Sequence, residues 1–172
     1  MNNKKIIKYI TRMAAQIIKP VSNEYATSRE EIKLLDGFQK VEYMPSPFEI
    51  ADYYGINYKF VKLEGDMPSY LSYMDNKIGT IYISNRYRKE SYMAKLLCAH
   101  ELGHYFLHGI QEAAMNNDSL NDYLPDEIIK EYEANIFAII LMPQIMSGNP
   151  WENDSPRILN RKMYNKVQEN RW

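Results

Sequence analysis

A single cysteine, Cys98, occurs among the 172 residues, so no disulfide can form within the chain and nothing indicates an oxidising compartment. Long apolar runs are also missing. The apolar residues near the start, IIKYITRMAAQII, are interrupted by Lys8 and Arg12. This excludes the continuous apolar core of a signal peptide or of a membrane span. We therefore expect a cytoplasmic protein that is neither exported nor inserted into a membrane.

A marked excess of charge is absent as well. The chain has 21 basic and 22 acidic residues and a net charge of -1, so it lacks the overall positive charge of many nucleic-acid-binding proteins. The basic residues near the start, such as Lys4, Lys5 and Lys8, are typical of a solvated helix face. A DNA-binding regulator that uses this helix and the segment SREEIKLLDGF is the least favoured interpretation. We expect no direct contact with nucleic acid.

The residues that are present have the composition of a globular protein, 45% hydrophobic and 25% charged, at a length that suits one domain of ordinary size. Changes in pattern divide the chain into three parts. Residues 1–44 form a helical extension, residues 45–148 the central domain, and residues 149–172 a linker with a short helix.

Hydrophobic periodicity and capping signals predict helices separated by a few strands. The helices are expected at residues 4–18, where Pro20 follows, near 28–37, from Ser46 to Gly55, from Lys89 to His108, and from Pro125 to the residue before Pro143. Alternation from Ile56 predicts a strand, and YLSYM and TIYIS around the connection DNKIG predict a hairpin. These elements together predict the α+β class.

Histidine is scarce too, and all three copies lie in the stretch AHELGHYFLHG, residues 99–109. On a helix that turns by about 100° per residue, His100 and His104 share one face a turn apart, so both imidazoles can bind one ion. Glu101 then flanks the open side of that ion, where it can accept a proton from a water molecule. This is the arrangement of the HExxH motif of zinc hydrolases.

His108 forms a second pair of the same spacing with His104. However, Tyr105 follows His104 where the motif would have an acid, and Gly109 ends the helix, so His100 and His104 are the favoured pair. His108 is then expected to contact a metal ligand without binding the metal itself, to face the substrate, or to have a structural role. Tyr105 is a further residue that could face the substrate.

A catalytic zinc site needs a third protein ligand, and no histidine is left to supply it. The later helix contains EYEAN, in which Glu131 and Asn135 are four residues apart and share a face, so Glu131 can bind the metal while Asn135 orients a ligand. Glu133 is the alternative ligand, but it lies about 200° around the helix from Glu131, so the two cannot both face one ion. Glu131 is favoured because its neighbours one turn on are small or polar, whereas those of Glu133 are large and apolar. Two imidazoles and one carboxylate favour one zinc ion per chain over manganese.

These motifs resemble a known family. HELGHYFLH followed by EYEANIFAIILMP resembles the signature of the ImmA/IrrE family metallo-endopeptidases, and PSPFEIADYYGI and GTIYISN resemble family segments upstream of it. The resemblance covers roughly Pro45 to Pro143. It implies a small gluzincin-like α+β domain in which a short twisted sheet packs on the metal helix, with additional helices.

The resemblance also implies roles for individual residues. His100 and His104 correspond to zinc ligands, Glu101 to the catalytic base and a glutamate of EYEAN to the third ligand, and the family pattern supports Glu131 in that position. Members encoded in mobile elements cleave a helix-turn-helix repressor and so relieve repression.

We therefore predict a zinc-dependent endopeptidase that cleaves a specific cytoplasmic protein. The expected substrate is a helix-turn-helix repressor of a mobile element or stress regulon, encoded nearby. The alternative is a regulator that binds a repressor or antitoxin-like partner in a metal-dependent manner without cleaving it. In the enzyme, a strand edge at residues 80–84 is expected to hold an extended substrate by main-chain pairing.

Overall fold

A computed structural model of the chain describes residues 3–26, 43–63, 71–75, 78–109 and 126–142. In order along the chain, the elements are α1 (Asn3–Ala26), α2 (Pro47–Tyr53), β1 (Asn57–Val61), β2 (Ser72–Asp75), β3 (Thr80–Ser84), α3 (Tyr92–His104), a π-helical turn (Tyr105–Gly109) and α4 (Asp126–Leu141). The predicted α+β class is confirmed. The helix predicted near residues 28–37 and the segment 149–172 lie outside the described residues.

The first helix is longer than its sequence pattern predicts. The predicted end before Pro20 is wrong, because α1 continues through this proline to Ala26. A proline inside a helix costs about 3 kcal/mol, but Ile17 and Val21 on either side of it are buried, and each such side chain contributes about 1.5–3 kcal/mol. The Tyr54 hydroxyl also donates a hydrogen bond to the Ile17 carbonyl oxygen at 3.0 Å, which ties this part of α1 to the end of α2.

The second helix begins at the predicted capping box. The Ser46 hydroxyl accepts a hydrogen bond from the Glu49 N–H at 3.3 Å, and the Glu49 carboxylate accepts one from the Ser46 N–H at 2.7 Å. These two bonds satisfy backbone donors that a helix start leaves free. Gly55 follows α2 with a φ of 68°, a conformation that glycine adopts without steric cost, and the chain then enters β1.

The three strands form one sheet in the order β1-β3-β2. β1 runs parallel to β3, and β2 runs antiparallel to β3, so the predicted hairpin is confirmed. Gly79 lies in the hairpin connection with a φ of 59°. Because β3 is the central strand, both of its edges are already paired, and the predicted substrate-binding edge at residues 80–84 is wrong.

One hydrophobic core joins the helices to the inner face of the sheet. α1 contributes Ile6, Ile7 and Ile10 to it, and β3 contributes Ile81 and Ile83. Further fully buried large side chains come from α2, α3 and α4: Ile50, Leu96, Leu97, Leu102, Ile136, Phe137 and Ile139. The proposed boundaries at residues 44 and 148 stay predictions. No helix in the described ranges combines the length and the apolar character needed to cross a bilayer.

Helix α3 carries the HExxH motif and is held by this core. It begins at Tyr92, three residues after the predicted start at Lys89, because the Ser91 hydroxyl caps it by accepting a hydrogen bond from the Ala94 N–H at 3.2 Å. From Leu96 to Gly103 every residue of α3 is buried. The motif is therefore fixed to a rigid element that packs against both the sheet and α4.

Candidate metal centre

Helices α3 and α4 approach each other closely at one glycine. A Cβ atom added to Gly103 would lie 2.8 Å from the Ala134 Cα atom and 3.0 Å from the Ala134 carbonyl oxygen, distances that a real side chain does not tolerate. Glycine inside a helix costs about 0.5–1 kcal/mol relative to alanine, so its presence here reflects packing. This close approach brings the EYEAN segment of α4 against the HExxH motif of α3.

Three side chains from the two helices converge on one point. The Nε2 atoms of His100 and His104 are 3.1 Å apart, and the two carboxylate oxygens of Glu131 lie 3.3 Å from His100 Nε2 and 3.1 Å from His104 Nε2. Among the described residues, these three form the group of side chains that could hold a metal ion.

The donor atoms have the spacing and the chemistry that suit a metal ion such as zinc. Zinc binds imidazole nitrogen and carboxylate oxygen at about 2.0–2.2 Å with tetrahedral angles, which places neighbouring ligand atoms about 3.3–3.6 Å apart. The distances between the two Nε2 atoms and from each Nε2 to its nearer Glu131 oxygen are 3.1–3.3 Å, at the lower end of that range. The residues present therefore fit a metal ion, and a tetrahedral site would keep a fourth position for water or substrate.

The electrostatics of the group also suit a cation. Hydrogen bonds to His100 and His104 hold the pKa of Glu131 well below its usual value, so this carboxylate is anionic at neutral pH. Burial lowers the pKa of His100, but the neighbouring carboxylates of Glu131 and Glu101 outweigh that effect and raise it overall. A negative carboxylate beside two imidazoles thus favours a positive charge at their shared centre.

Glu101 directly follows His100 on α3 and is buried. Its Oε1 atom accepts a hydrogen bond from the Ser72 hydroxyl of β2 at 2.6 Å, which leaves Oε2 for another partner. The sequence pattern did not reveal Ser72, because 29 residues separate it from Glu101 and only the pairing of β2 with β3 brings the two together. No local signal in YLSYM marks this serine.

Asn135 and His108 contact the two histidine rings at their Nδ1 atoms, on the side opposite the Nε2 atoms that face Glu131. His100 Nδ1 lies 2.9 Å from Asn135 Oδ1, so the amide oxygen of Asn135 can accept a hydrogen bond from that ring. His104 Nδ1 lies 3.3 Å from His108 Nδ1. Contacts of this kind orient metal-binding imidazoles in proteins.

His108 and Glu133, the two alternatives from the sequence, contact each other. His108 Nε2 lies 3.0 Å from Glu133 Oε2, and neither residue belongs to the convergent group. The π-helical turn at Tyr105–Gly109 contains His108, and such turns occur often at functional sites. The Tyr105 ring packs edge-on against Phe106, with ring centroids 5.2 Å apart, and its substrate-facing role stays a prediction.

Comparison with known proteins agrees with this geometry. The family model for the M78 peptidases, described as the IrrE N-terminal-like domain, matches residues 51–147, which is more than half of the 172-residue chain. The chain belongs to this family. The resemblance to the ImmA/IrrE metallopeptidases is thereby confirmed. Searches of curated proteins and of solved structures found no match.

The match to the M78 family covers the whole candidate site. It extends from the end of α2 through the sheet, α3 and α4, and so includes Ser72 and the EYEAN segment. α1 precedes the matched range. Membership in the M78 family supports a metallopeptidase function, and a peptidase acts on a protein substrate.

Proposed function

We propose that this chain is a zinc-dependent endopeptidase that cleaves one specific protein in the cytoplasm. By resemblance to family members of mobile elements, the substrate is a helix-turn-helix repressor of a mobile element or stress regulon, encoded nearby. The observation that carries the proposal is the convergence of two imidazole nitrogens and one carboxylate within 3.3 Å of each other, with a buried glutamate next to them. This combination is the minimum that zinc-dependent hydrolysis requires.

In this proposal His100 and His104 hold the zinc through Nε2, and Glu131 holds it through its carboxylate. When bound, the zinc lowers the pKa of water and polarises a peptide carbonyl. Asn135 keeps the His100 ring in place by accepting a hydrogen bond from Nδ1. With its proton on Nδ1, His100 has a free electron pair on Nε2 for the metal.

Glu101 acts as the general base and then as the general acid. The Ser72 hydroxyl donates to Oε1, so Oε2 remains available to accept a proton from the attacking water. After the carbonyl has been attacked, Glu101 delivers this proton to the leaving amine. Burial of Glu101 keeps bulk water from competing for the proton.

The outer edge of β2 is the surface on which an extended substrate segment would bind. β2 pairs with β3 on one side, and within the described ranges no strand pairs with its other side. An unpaired edge offers main-chain donors and acceptors to an incoming peptide. Because Ser72 belongs to β2 and contacts Glu101, a peptide on this edge would lie beside the proposed base.

The test is to mix the purified chain with the repressor encoded next to it. We expect that repressor to be cut at one site when zinc is present, and to stay intact when a chelator is added. Glu101→Gln should retain zinc and lose cleavage, because the substitution removes the base and keeps all three proposed ligands. Full-length repressor after incubation with the zinc-loaded wild-type chain would contradict this choice of substrate.

The same variant separates cleavage from binding without cleavage. If Glu101→Gln still relieves repression in cells, the chain acts as a metal-dependent binding regulator. If relief of repression disappears while zinc binding remains, hydrolysis is the function.

A further inference from the structure

A row of three side chains crosses the outer face of the sheet, the face opposite the buried Ile81 and Ile83. The strand registers place Lys59 of β1, Tyr82 of β3 and Tyr73 of β2 side by side in this row. The rings of Tyr73 and Tyr82 are stacked, with centroids 4.7 Å apart and an angle of 12° between their planes. Tyr73 is the outermost member and is 46% exposed, so its ring is accessible to a group that binds beside β2.

The outer edge of β2 lacks three features that commonly keep a sheet edge from pairing with another chain, namely lysine, proline and a bulge. The strand has the sequence SYMD, which contains neither lysine nor proline, and its register with β3 runs without a bulge from Ser72 to Asp75. Among the strands that the structure describes, none pairs with this edge. The edge is therefore suited to receive an extended peptide.

The main-chain groups of β2 point alternately towards β3 and towards the open edge. The Ser84 N–H donates a hydrogen bond to the Leu71 carbonyl oxygen at 2.7 Å, so these two residues form a hydrogen-bonded pair of the antiparallel ladder. Such pairs recur at every second residue. Tyr73 is thus hydrogen-bonded to β3, whereas Ser72 and Met74 direct their N–H and carbonyl groups outwards. A peptide on this edge would exchange main-chain hydrogen bonds with Ser72 and Met74.

The same alternation determines where the side chains of a bound peptide point. Residues paired across a sheet project from the same face. A peptide residue beside Ser72 would point to the inner face, where the Ser72 hydroxyl contacts Glu101. The next peptide residue would lie beside Tyr73, in an antiparallel pair without direct hydrogen bonds, and in such pairs the side chains are closest. Its side chain would extend the row formed by Tyr82 and Tyr73.

We propose that Tyr73 is a specificity-determining residue that packs against an aromatic side chain of the substrate, one residue away from the substrate residue beside Ser72. This inference rests on the proposed function, because the occupant of the edge is an extended segment of the substrate protein. An aromatic side chain suits the position because an exposed ring gains most from a second ring, in an offset stack or edge-on. Main-chain pairing accepts many sequences, and Tyr73 selects among them near the cleaved bond.

This selection can be measured without zinc and without cleavage. A display library of random peptides of about 10 residues, the length of one long strand, is selected on the metal-free full-length chain and in parallel on its Tyr73→Ser variant. We expect peptides retained by the wild-type chain to share a phenylalanine, tyrosine or tryptophan, and those retained by Tyr73→Ser to lack this enrichment. The inference is overturned if the wild-type chain retains no peptides or the same peptides as the variant.

A double-mutant cycle assigns the preference to Tyr73. The most strongly retained peptide is synthesised with a fluorescent label, and its affinity is compared by anisotropy with that of a copy whose aromatic residue is alanine. On the wild-type chain, alanine should weaken binding about two- to tenfold, the contribution of one aromatic pair. On Tyr73→Ser the two peptides should bind equally well. Tyr53→Ser, which changes another exposed tyrosine, is the matched control and should preserve the difference.

Two variants of Met74 test whether the peptide lies on the edge of β2. Met74→Pro removes the outward N–H and leaves the hydrogen bonds between β2 and β3, which come from the neighbouring residues. Met74→Ala removes the side chain that packs on the core but keeps this N–H. We expect Met74→Pro to bind the labelled peptide about three- to tenfold more weakly than Met74→Ala does. Equal binding by the two variants, both shown to be folded by thermal denaturation, would contradict the inference.

The outcomes distinguish this inference from the proposed function. Peptide selection needs no zinc, so a chain that binds no zinc or leaves the repressor intact contradicts the proposed function, and the selection still shows whether Tyr73 prefers an aromatic residue. If the zinc-loaded wild-type chain cuts the repressor and Tyr73→Ser cuts it with the same kcat/KM, the inference fails and the proposed function stands.

Discussion

Two glutamates on α4 lie two residues apart and occupy opposite environments. The Glu131 side chain is 48% exposed and faces two imidazoles, whereas that of Glu133 is 4% exposed and faces one. The α-helix causes the difference, since two residues are separated by about 200° around its axis. One helix can therefore supply both a proposed ligand and the support behind another ligand. The residue type alone does not show whether a glutamate is a proposed ligand or contacts a residue behind a ligand.

The largest expected effect comes from neutralising the exposed glutamate. Glu131→Gln removes the one negative charge of the proposed ligand set, and we expect zinc affinity to fall by much more than the roughly 10- to 100-fold expected for a residue behind a ligand. Chelator competition on Glu131→Gln and Glu133→Gln in parallel measures the difference. Equal losses of zinc affinity in the two variants would contradict the view that Glu131 binds the metal and Glu133 does not.

The second-largest effect is expected at Gly103, where α3 and α4 approach each other closely and so bring both glutamates against the histidines. In Gly103→Ala the new methyl group would meet the Ala134 backbone at 2.8 Å, and forced overpacking of this kind costs about 1–3 kcal/mol. We expect a lower melting temperature and weaker zinc binding, because α4 must move away from α3.

A double variant shows which atoms of Ala134 cause this effect. Adding Ala134→Gly to Gly103→Ala removes the side-chain contact at 3.2 Å but leaves the shorter backbone contacts. It should therefore not restore the melting temperature. Full recovery in the double variant would show that the side chain, and not the backbone, limits the approach of the helices.

Ser72 extends the comparison to a third glutamate. Glu101 is as buried as Glu133, but its partner is a hydroxyl group from a strand. Ser72→Ala should lower the rate of repressor cleavage about tenfold, equivalent to the loss of one hydrogen bond to a charged group, with zinc affinity unchanged. Ser84→Ala on the neighbouring strand β3 is the matched control, and an equal loss of rate there would argue against a special role for Ser72.

The smallest effect is expected far from both glutamates. Ser46→Ala removes the cap of α2, which typically costs about 1 kcal/mol of stability. Thermal denaturation should show this loss, and chelator competition should show wild-type zinc affinity. A changed zinc affinity in this variant would mean that general destabilisation is enough to disturb the site. Losses of zinc affinity in the other variants could then not be assigned to the substituted side chains.

The sequence predicts well what depends on helical spacing. The facing pair His100 and His104, and the conclusion that Glu131 and Glu133 cannot both face them, follow from counting residues around two helices. The choice of Glu131 over Glu133 rests on the smaller and more polar neighbours of Glu131 and on the resemblance to the family. The structure brings the two histidines and Glu131 together in this way. The capping box at Ser46 and the hairpin are likewise local patterns, and both are present.

The sequence predicts poorly what depends on contacts between distant segments. Periodicity predicts a strand at residues 80–84. It cannot predict that this strand lies in the centre of the sheet, because that depends on pairing with β1 and β2. Ser72 is missed for the same reason. The end of α1 is misplaced because tertiary packing of Val21 outweighs the local effect of Pro20.

The central claim is that one zinc ion is held jointly by His100, His104 and Glu131. A crystal structure of the zinc-loaded chain, with anomalous data collected at the zinc absorption edge, tests it most directly. We predict one anomalous peak per chain, at about 2.0–2.2 Å from both Nε2 atoms and from an oxygen of Glu131. A peak bound by Glu133 or His108 instead, or no peak between the two helices, would contradict the account.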